Sequence, residues 1–210
     1  MSALLFGLAS SAQAGIAFDP DGSGGGGSYV VDSFDILPGN LLSTNVVPAV
    51  TGDSFISYYQ AKLGSLIQGD SPILSTGLNI DFEITVVAGF EFDFAAAGPG
   101  YSIYTNSQTP TLNYLEVWYD TGLNSNSLTG EGFNDGQLIL TASMIAGGGS
   151  FFGTYLGDNF DQYQTNNYPG VKSITGAGGT TIIATVDSFD PNFFKVAPLT
   201  LEFAFFNTSN

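Results

Sequence analysis

The feature that most constrains this chain is a strict alternation of apolar and polar residues between Leu78 and Val86. Leu, Ile, Phe and Val take every second position, and Asn, Asp, Glu and Thr take the positions between them. Successive side chains of a β-strand point to opposite faces, so a period of two predicts a strand with one face on a core and the other in water. This segment therefore predicts a strand of an antiparallel sheet.

Other short runs rich in aromatic and β-branched residues predict further strands, and turns rich in Gly, Asn or Pro separate them. A parallel sheet would need crossover helices, for which the sequence offers no segment. We therefore expect an all-β protein, a single antiparallel β-sandwich that is jelly-roll-like, with little or no helix after the signal peptide described below. The runs are 29–34, 55–67, 90–94, 114–119, 137–144, 180–186 and 199–206.

Glycine and phenylalanine are both abundant. The glycine-rich runs 147–150 and 174–180 lack the strand-loop-helix setting of a phosphate-binding loop, and we interpret both as turns. Apolar strand faces are usually buried, so we expect the phenylalanines to fill the core. The positions concerned are Phe90, Phe92, Phe94, Phe203, Phe205 and Phe206.

The first fourteen residues have the character of a secretory signal peptide. An apolar run ends in small residues, with Ala12 and Ala14 at the A-x-A spacing of a cleavage site, but no basic residue precedes it. We expect a segment truncated at its start, cleavage after Ala14, export, and one domain over residues 15–210. The alternative is an apolar first strand or helix. No later stretch is long and apolar enough to span a membrane.

Charged and reactive residues exclude several classes of function. The chain has no His, Cys or Arg, and nineteen carboxylates face three lysines, for a net charge of -16. Catalytic triads, the usual zinc and haem sites and disulfides are therefore excluded. Three lysines cannot hold a nucleic acid against so negative a field, so nucleic acid is not an expected partner.

A cluster of oxygen-bearing side chains near the start of the predicted domain resembles the first half of a calcium loop. Val30 stands where such a loop needs a bidentate Glu, so carboxylates further along would have to complete the site. The alternative is an Asp-Pro-Asp-Gly turn leading into a glycine run. We expect no cofactor, with calcium as the single candidate. The candidate ligands are Asp19, Asp21, Ser23, Asp32 and Asp35.

Aromatic residues with polar groups suggest carbohydrate binding, because a phenol offers both a stacking plane and a hydroxyl. Tyrosines 58, 59, 101, 104, 114 and 119 are the wider set of candidates, and the sharper candidate site is Tyr114, Trp118 and Tyr119.

Glycoside hydrolysis is the one hydrolytic reaction that two carboxylates could perform without His or Cys. Glu83, Glu116 and Glu131 are the candidates, and Glu116 lies beside the single Trp. The competing interpretation is that all three are solvated outward residues on strands.

Six stretches of the chain together carry a resemblance to a known family. They are FDPDGSGGGG (18–27), VDSFDILPGN (31–40), FISYYQAKLG (55–64), FEITVVAGF (82–90), LEVWYDTG (115–122) and GFNDGQLIL (132–140). In combination they resemble the flocculation-associated PEP-CTERM proteins, which are exported by floc- and biofilm-forming bacteria. The Pro-Glu-Pro motif, apolar helix and basic tail of that family's sorting signal are not found in the sequence. The resemblance implies a β-rich extracellular protein that helps to hold cells within an exopolysaccharide matrix, with no catalytic residues to carry over.

We therefore expect a non-enzymatic, secreted matrix protein that promotes flocculation by associating with exopolysaccharide or cell-surface glycans, with divalent cations as a bridge. The first alternative is a subunit of a surface layer or filament that self-associates through exposed strand edges. The second is a small glycoside hydrolase.

Overall fold

The protein is built entirely of β-strands. The computed structural model describes residues 4–7, 15–24, 27–46, 49–159, 172–196 and 200–209, and these contain no helix, so none that could cross a membrane. The prediction of an all-β fold is confirmed. The strands are β1 Leu4–Gly7, β2 Ile16–Phe18, β3 Tyr29–Val31, β4 Ser33–Ile36, β5 Asn40–Thr44, β6 Ser54–Gln68, β7 Ser71–Pro72, β8 Glu83–Gly98, β9 Tyr101–Asn106, β10 Asn113–Asp120, β11 Gln137–Asn159, β12 Lys172–Phe189 and β13 Thr200–Ser209.

Eleven of these strands form one antiparallel sheet, and β2 and β3 form a separate pair. Ten strands of the main sheet follow the order β10-β8-β9-β11-β12-β13-β1-β4-β6-β5, and the eleventh, β7, pairs with β6 beside this path. Two additional pairings, β10 with β11 and β8 with β6, bring the sheet back onto itself. The strands thereby pack in a sandwich-like arrangement around a shared core, with β8, β9, β11 and β10 forming a small closed ring.

The core lies between the inward-facing side chains of these strands. Phe90, Phe92 and Phe94 alternate along β8 and are buried, as is Phe203 on β13, so the prediction that they fill the core is confirmed. Phe206 contradicts it, because its side chain is 74% exposed. The side chain of Phe205 lies outside the described residues.

The alternating segment that predicted the clearest strand begins later than expected. The carbonyl of Gly77 accepts hydrogen bonds from the amides of Ile80 (3.0 Å) and Asp81 (2.8 Å), which form a turn, and Ile80 is 76% exposed. Asn79 has a φ of 61°, in the left-handed region that turns favour. Strand β8 therefore starts at Glu83.

The two glycine-rich runs are not turns. Residues 147–150 lie within β11 and 174–180 within β12, and the two strands pair along this length. A Cβ at Gly149 would lie 2.1 Å from the carbonyl oxygen of Gly179. Glycine here permits close approach of neighbouring backbones rather than a change of chain direction.

The start of the chain contributes one strand. Strand β1 pairs with both β13 and β4. The remainder of the expected signal peptide, residues 1–3 and 8–14, lies outside the described residues, and its cleavage stays a prediction. Cleavage after Ala14 would remove β1 and with it the pairing partner that β13 and β4 share.

Candidate functional site

A cleft of about 600 Å³ lies on the outer face of the sheet. Its floor comes from β5, β6, β8 and β10, and its wall comes from the segment 121–136 that follows β10. This volume falls within the range of about 300–1,000 Å³ that small-molecule sites occupy. The cleft is lined by Asn40, Leu42, Tyr58, Tyr59, Gln60, Val87, Ala88, Tyr114, Glu116, Gly130, Phe133 and Asn134.

Two tyrosines form an aromatic platform across the floor. Gly89 of β8 pairs with Tyr58 on one side and with Tyr114 on the other. Directly paired residues of antiparallel strands share a face, so both side chains lie on the outer face. A Cβ at Gly89 would lie 2.6 Å from Cε1 of Tyr114. The missing side chain at Gly89 therefore makes room for the Tyr114 ring, and we call Tyr58, Gly89 and Tyr114 the aromatic platform.

Beside the platform, the next set of paired residues across the floor has a polar residue on each outer strand. Val87 pairs with Gln60 on β6 and with Glu116 on β10. The indole Nε1 of Trp118 donates a hydrogen bond to Oε2 of Glu116 at 3.1 Å, which fixes the carboxylate beside the platform. The cleft thus combines an apolar platform with a small number of polar groups, the composition typical of ligand sites.

Glu83 holds the wall in place from beneath. It is 0% exposed and accepts hydrogen bonds from the amides of Asn124 (3.1 Å) and Ser125 (2.8 Å) and from the Ser125 hydroxyl (2.7 Å). Lys62 Nζ lies 3.5 Å from its Oε2. The interpretation of Glu83 as a solvated outward residue is wrong, because the wall covers the outer face of β8 at this point.

Two further hydrogen bonds attach the wall to the floor. The Thr85 hydroxyl donates to the carbonyl of Phe133 at 2.6 Å, and the Asn40 amide donates to the carbonyl of Ser127 at 2.5 Å. These contacts join the wall to β8 and to β5. The cleft is therefore formed by segments that lie far apart in the sequence.

Among the predicted carbohydrate-binding residues, the structure brings Tyr114 and Trp118 together around Glu116 and places Tyr119 elsewhere. Tyr119 lies on the opposite face of β10, where its ring centroid is 5.2 Å from that of Phe82 and 5.0 Å from that of Phe193. Its ring contributes to the packing of the interior and not to the cleft.

The wider set of tyrosines divides in the same way. Tyr58 lines the cleft with its ring, whereas the ring of the neighbouring Tyr59 packs against the core. Tyr104 is also buried on the inner face and shares a 2.6 Å hydrogen bond with the hydroxyl of Thr180. Tyr101 is exposed on β9, away from the cleft lining. Of the six tyrosines considered, Tyr58 and Tyr114 therefore place their rings in the cleft.

Burial raises the pKa of two tyrosines in this part of the sheet, Tyr59 and Tyr114. Desolvation raises the pKa of Tyr114, and the charge of Glu116 and the neighbouring Tyr58 add to the increase. Desolvation also raises the pKa of Tyr59 far above its usual range. The Tyr114 phenol is therefore a neutral hydrogen-bonding group at physiological pH, whereas the hydroxyl of Tyr59 is itself buried.

The glycosidase candidates are not gathered around the cleft. Glu116 lines it, Glu83 is buried beneath the wall, and Glu131 is exposed on the wall, where it accepts a 3.2 Å hydrogen bond from Thr129. The described lining residues therefore supply one carboxylate.

The metal candidates divide between separate places. Asp19 is 1% exposed, and its Oδ2 accepts from the Gly24 amide (3.0 Å) and lies 3.3 Å from Lys195 Nζ. Asp21 Oδ1 accepts from the Ser23 amide at 2.9 Å. That hydrogen bond is the main cause of the lowered pKa of Asp21.

Asp32 and Asp35 have other partners. The carboxylate of Asp32 accepts from the Gly69 amide at 2.7 Å, and that of Asp35 from the Ser65 hydroxyl at 3.3 Å. No group of three or more Asp or Glu residues in the described part of the chain is placed to hold a metal ion. The structure thus does not unite the five candidate ligands, and calcium binding stays a prediction.

Several residues of the cleft were absent from the sequence-based candidates. Asn40, Gln60 and Asn134 come from three separate segments that show no common spacing. Gly89 is the one position at which the sequence hinted at the cleft, since a glycine inside a strand often marks the close approach of another group.

Comparisons of the chain with protein-family models, with curated proteins and with solved structures find no match. The function has to be inferred from the cleft itself.

Proposed function

We propose that this chain is a non-enzymatic, secreted matrix protein that binds exopolysaccharide or cell-surface glycans in the cleft and thereby promotes flocculation. The observation that carries this proposal is the aromatic platform with polar groups at its border. The resemblance to flocculation-associated PEP-CTERM proteins and the signal-like first residues are its sequence-based support.

The chemistry of the cleft matches the surface of a sugar. One face of a sugar ring is a patch of C–H groups, which packs against an aromatic ring, and its rim carries hydroxyls that need hydrogen-bonding partners. The amides of Asn40, Gln60 and Asn134 offer both donors and acceptors to such hydroxyls. The site therefore favours a polyhydroxylated ring over a purely apolar ligand.

The number of carboxylates in the cleft favours binding of a glycan over its hydrolysis. Glycosidases of the usual type need two carboxyl groups on either side of the scissile bond. The described lining of the cleft supplies Glu116 alone, and Trp118 holds one of its oxygens.

The test is a binding panel of matrix-derived oligosaccharides, followed by calorimetry on the full chain. Replacing either platform tyrosine, by Tyr58→Ala or Tyr114→Ala, should weaken binding about tenfold, which corresponds to about 1.4 kcal/mol of lost contact. Tyr101→Ala is the matched control, because Tyr101 is 40% exposed and Tyr58 41%, yet Tyr101 is not among the residues that line the cleft.

The control should bind like the original chain. If no oligosaccharide binds, or if Tyr101→Ala weakens binding as much as Tyr58→Ala, the cleft is not the glycan site.

A second candidate function, self-association into a layer or filament, is favoured by an exposed apolar face. Exposed side chains on β9, β11, β12 and β13 become neighbours through the strand register, which pairs Tyr101 with Phe152 and Gly179 with both Ser150 and Phe206. Exposed apolar patches of this kind often mark protein contacts. We define this apolar face by Tyr101, Ile103, Phe152, Ile183 and Phe206.

Sedimentation of the full chain at low and high salt tests this candidate. Salt screens the repulsion between molecules of charge -16, so association should increase with ionic strength. The double variant Phe152→Ser/Phe206→Ser should stay monomeric. Leu128→Ser is the control, since Leu128 is 95% exposed on the cleft wall and should not alter association. Monomers at every salt concentration would exclude self-association through this face.

A further inference from the structure

None of the described residues that line the cleft is a lysine. Of the three lysines, Lys62 forms an ion pair with Glu83 and Lys195 forms one with Asp19. Lys172 is the first residue of β12, which contributes no described residue to the cleft lining. The described residues that line the cleft therefore include no cationic side chain.

The charge inside the cleft is negative. Glu116 is the one charged residue among the described lining residues, and it belongs to a chain of net charge -16. A cleft lined by a single sign of charge concentrates ligands of the opposite sign and repels those of its own sign. A glycan made of uronic acids would meet repulsion here, and the described lining residues offer it no cation for an ion pair.

The carboxylate is well placed to meet a charged group on a stacked ring. Glu116 follows Tyr114 by two positions on β10, so both side chains project from the same face of the strand. Trp118 donates a hydrogen bond to Oε2 of Glu116, which orients the carboxylate. An ammonium group bound to a ring carbon could donate to it while the ring lies on the platform.

We propose that the cleft selects glycans with free amino sugars, whose protonated amine pairs with Glu116 while the ring packs on Tyr58 and Tyr114. This inference rests on the proposed function and specifies its ligand class. A lysine-bearing peptide would offer the same charge, but it lacks the hydroxylated ring that the platform and the amides of the cleft favour.

The test compares three oligomers of equal length with the full chain: glucosamine oligomers with free amines, their N-acetylated forms, and uncharged glucose oligomers. The free-amine oligomer should bind about tenfold more tightly than the other two, a ratio typical of one charge-assisted hydrogen bond. Glu116→Gln keeps the shape of the side chain and removes its charge, so it should abolish the preference for the free-amine oligomer over the other two.

Two controls separate the amine contact from general effects. Glu131→Gln removes one exposed charge outside the cleft lining and should leave the preference intact. Tyr114→Ala should weaken all three oligomers together. Raising salt from about 0.01 M to about 1 M should reduce the preference, because it shortens the screening length from about 30 Å to about 3 Å.

The outcomes distinguish this inference from the proposed function. Equal binding of all three oligomers, a Glu116→Gln variant that keeps the preference, or tighter binding of a uronic acid oligomer would overturn the amino-sugar inference and leave glycan binding standing. A lysine oligopeptide that binds as tightly as the amino sugar would overturn selection for a sugar ring. Failure of every oligosaccharide to bind would overturn both proposals.

Discussion

At the scale of single residues, Glu83 shows how this chain accommodates a buried charge. Glu83 is completely buried, and it is acceptable there because a lysine and three hydrogen-bond donors surround its carboxylate. Burial of an ionised carboxylate without such partners would cost several kcal/mol. The same residue anchors the wall of the cleft, so its role links stability to the site.

Replacement of Glu83 by Ala should lower the free energy of unfolding by about 3 kcal/mol, because Lys62 and two wall amides would lose their acceptor. Urea unfolding followed by fluorescence measures the change. Glu131→Ala removes an exposed carboxylate and should change stability by less than about 0.5 kcal/mol. Equal effects of the two substitutions would show that the buried ion pair does not stabilise the fold.

At the scale of the element, β10 shows what strand periodicity decides and what it leaves open. Leu115 and Val117 are buried on its inner face, with Tyr119 half-buried beside them, and Tyr114 and Glu116 reach the cleft on the outer face. Alternation separates these two sets, whereas the predicted site of Tyr114, Trp118 and Tyr119 combined residues from both faces. Both sets contain aromatic residues, so composition alone could not tell which set faces the interior.

At the scale of the whole molecule, the packing of tyrosines makes stability sensitive to alkaline pH. Desolvation is the largest cause of raised pKa values in four of them, above the ordinary value of 10.0. In Tyr104 the hydrogen bond with Thr180 opposes part of the increase. The four are Tyr59, Tyr104, Tyr114 and Tyr119.

The folded state holds these protons at a pH where the unfolded state releases them, so stability falls as pH rises. The stabilisation is complete below about pH 10, the ordinary pKa of tyrosine, and is lost as pH increases towards the raised values. Melting temperatures from about pH 8 to about pH 11 should show this decline, and Tyr59→Phe should make it shallower. A decline that is equally steep in Tyr59→Phe would contradict the contribution of Tyr59.

Much of the fold could be predicted because strands carry a local signal. The segments around β6, β10 and β13 were predicted as strands from their aromatic and β-branched residues. The glycine runs of β11 and β12 were wrongly predicted to be turns. Glycine is common both in turns and where two backbones approach closely, and only the paired strand shows which of the two applies.

The sequence named some residues of the cleft, Tyr58, Tyr114 and Glu116 among them, but could not show that they meet. The sequence by itself determined the absence of His, Cys and Arg, the excess of carboxylates and the all-β character, since these follow from composition and local periodicity. Only the tertiary structure decided that Tyr58 and Tyr114 flank Gly89, that the wall covers Glu83, and that Tyr119 faces inward. The physical reason is that strand pairing joins residues distant in the chain, and register and burial depend on the whole packed sheet.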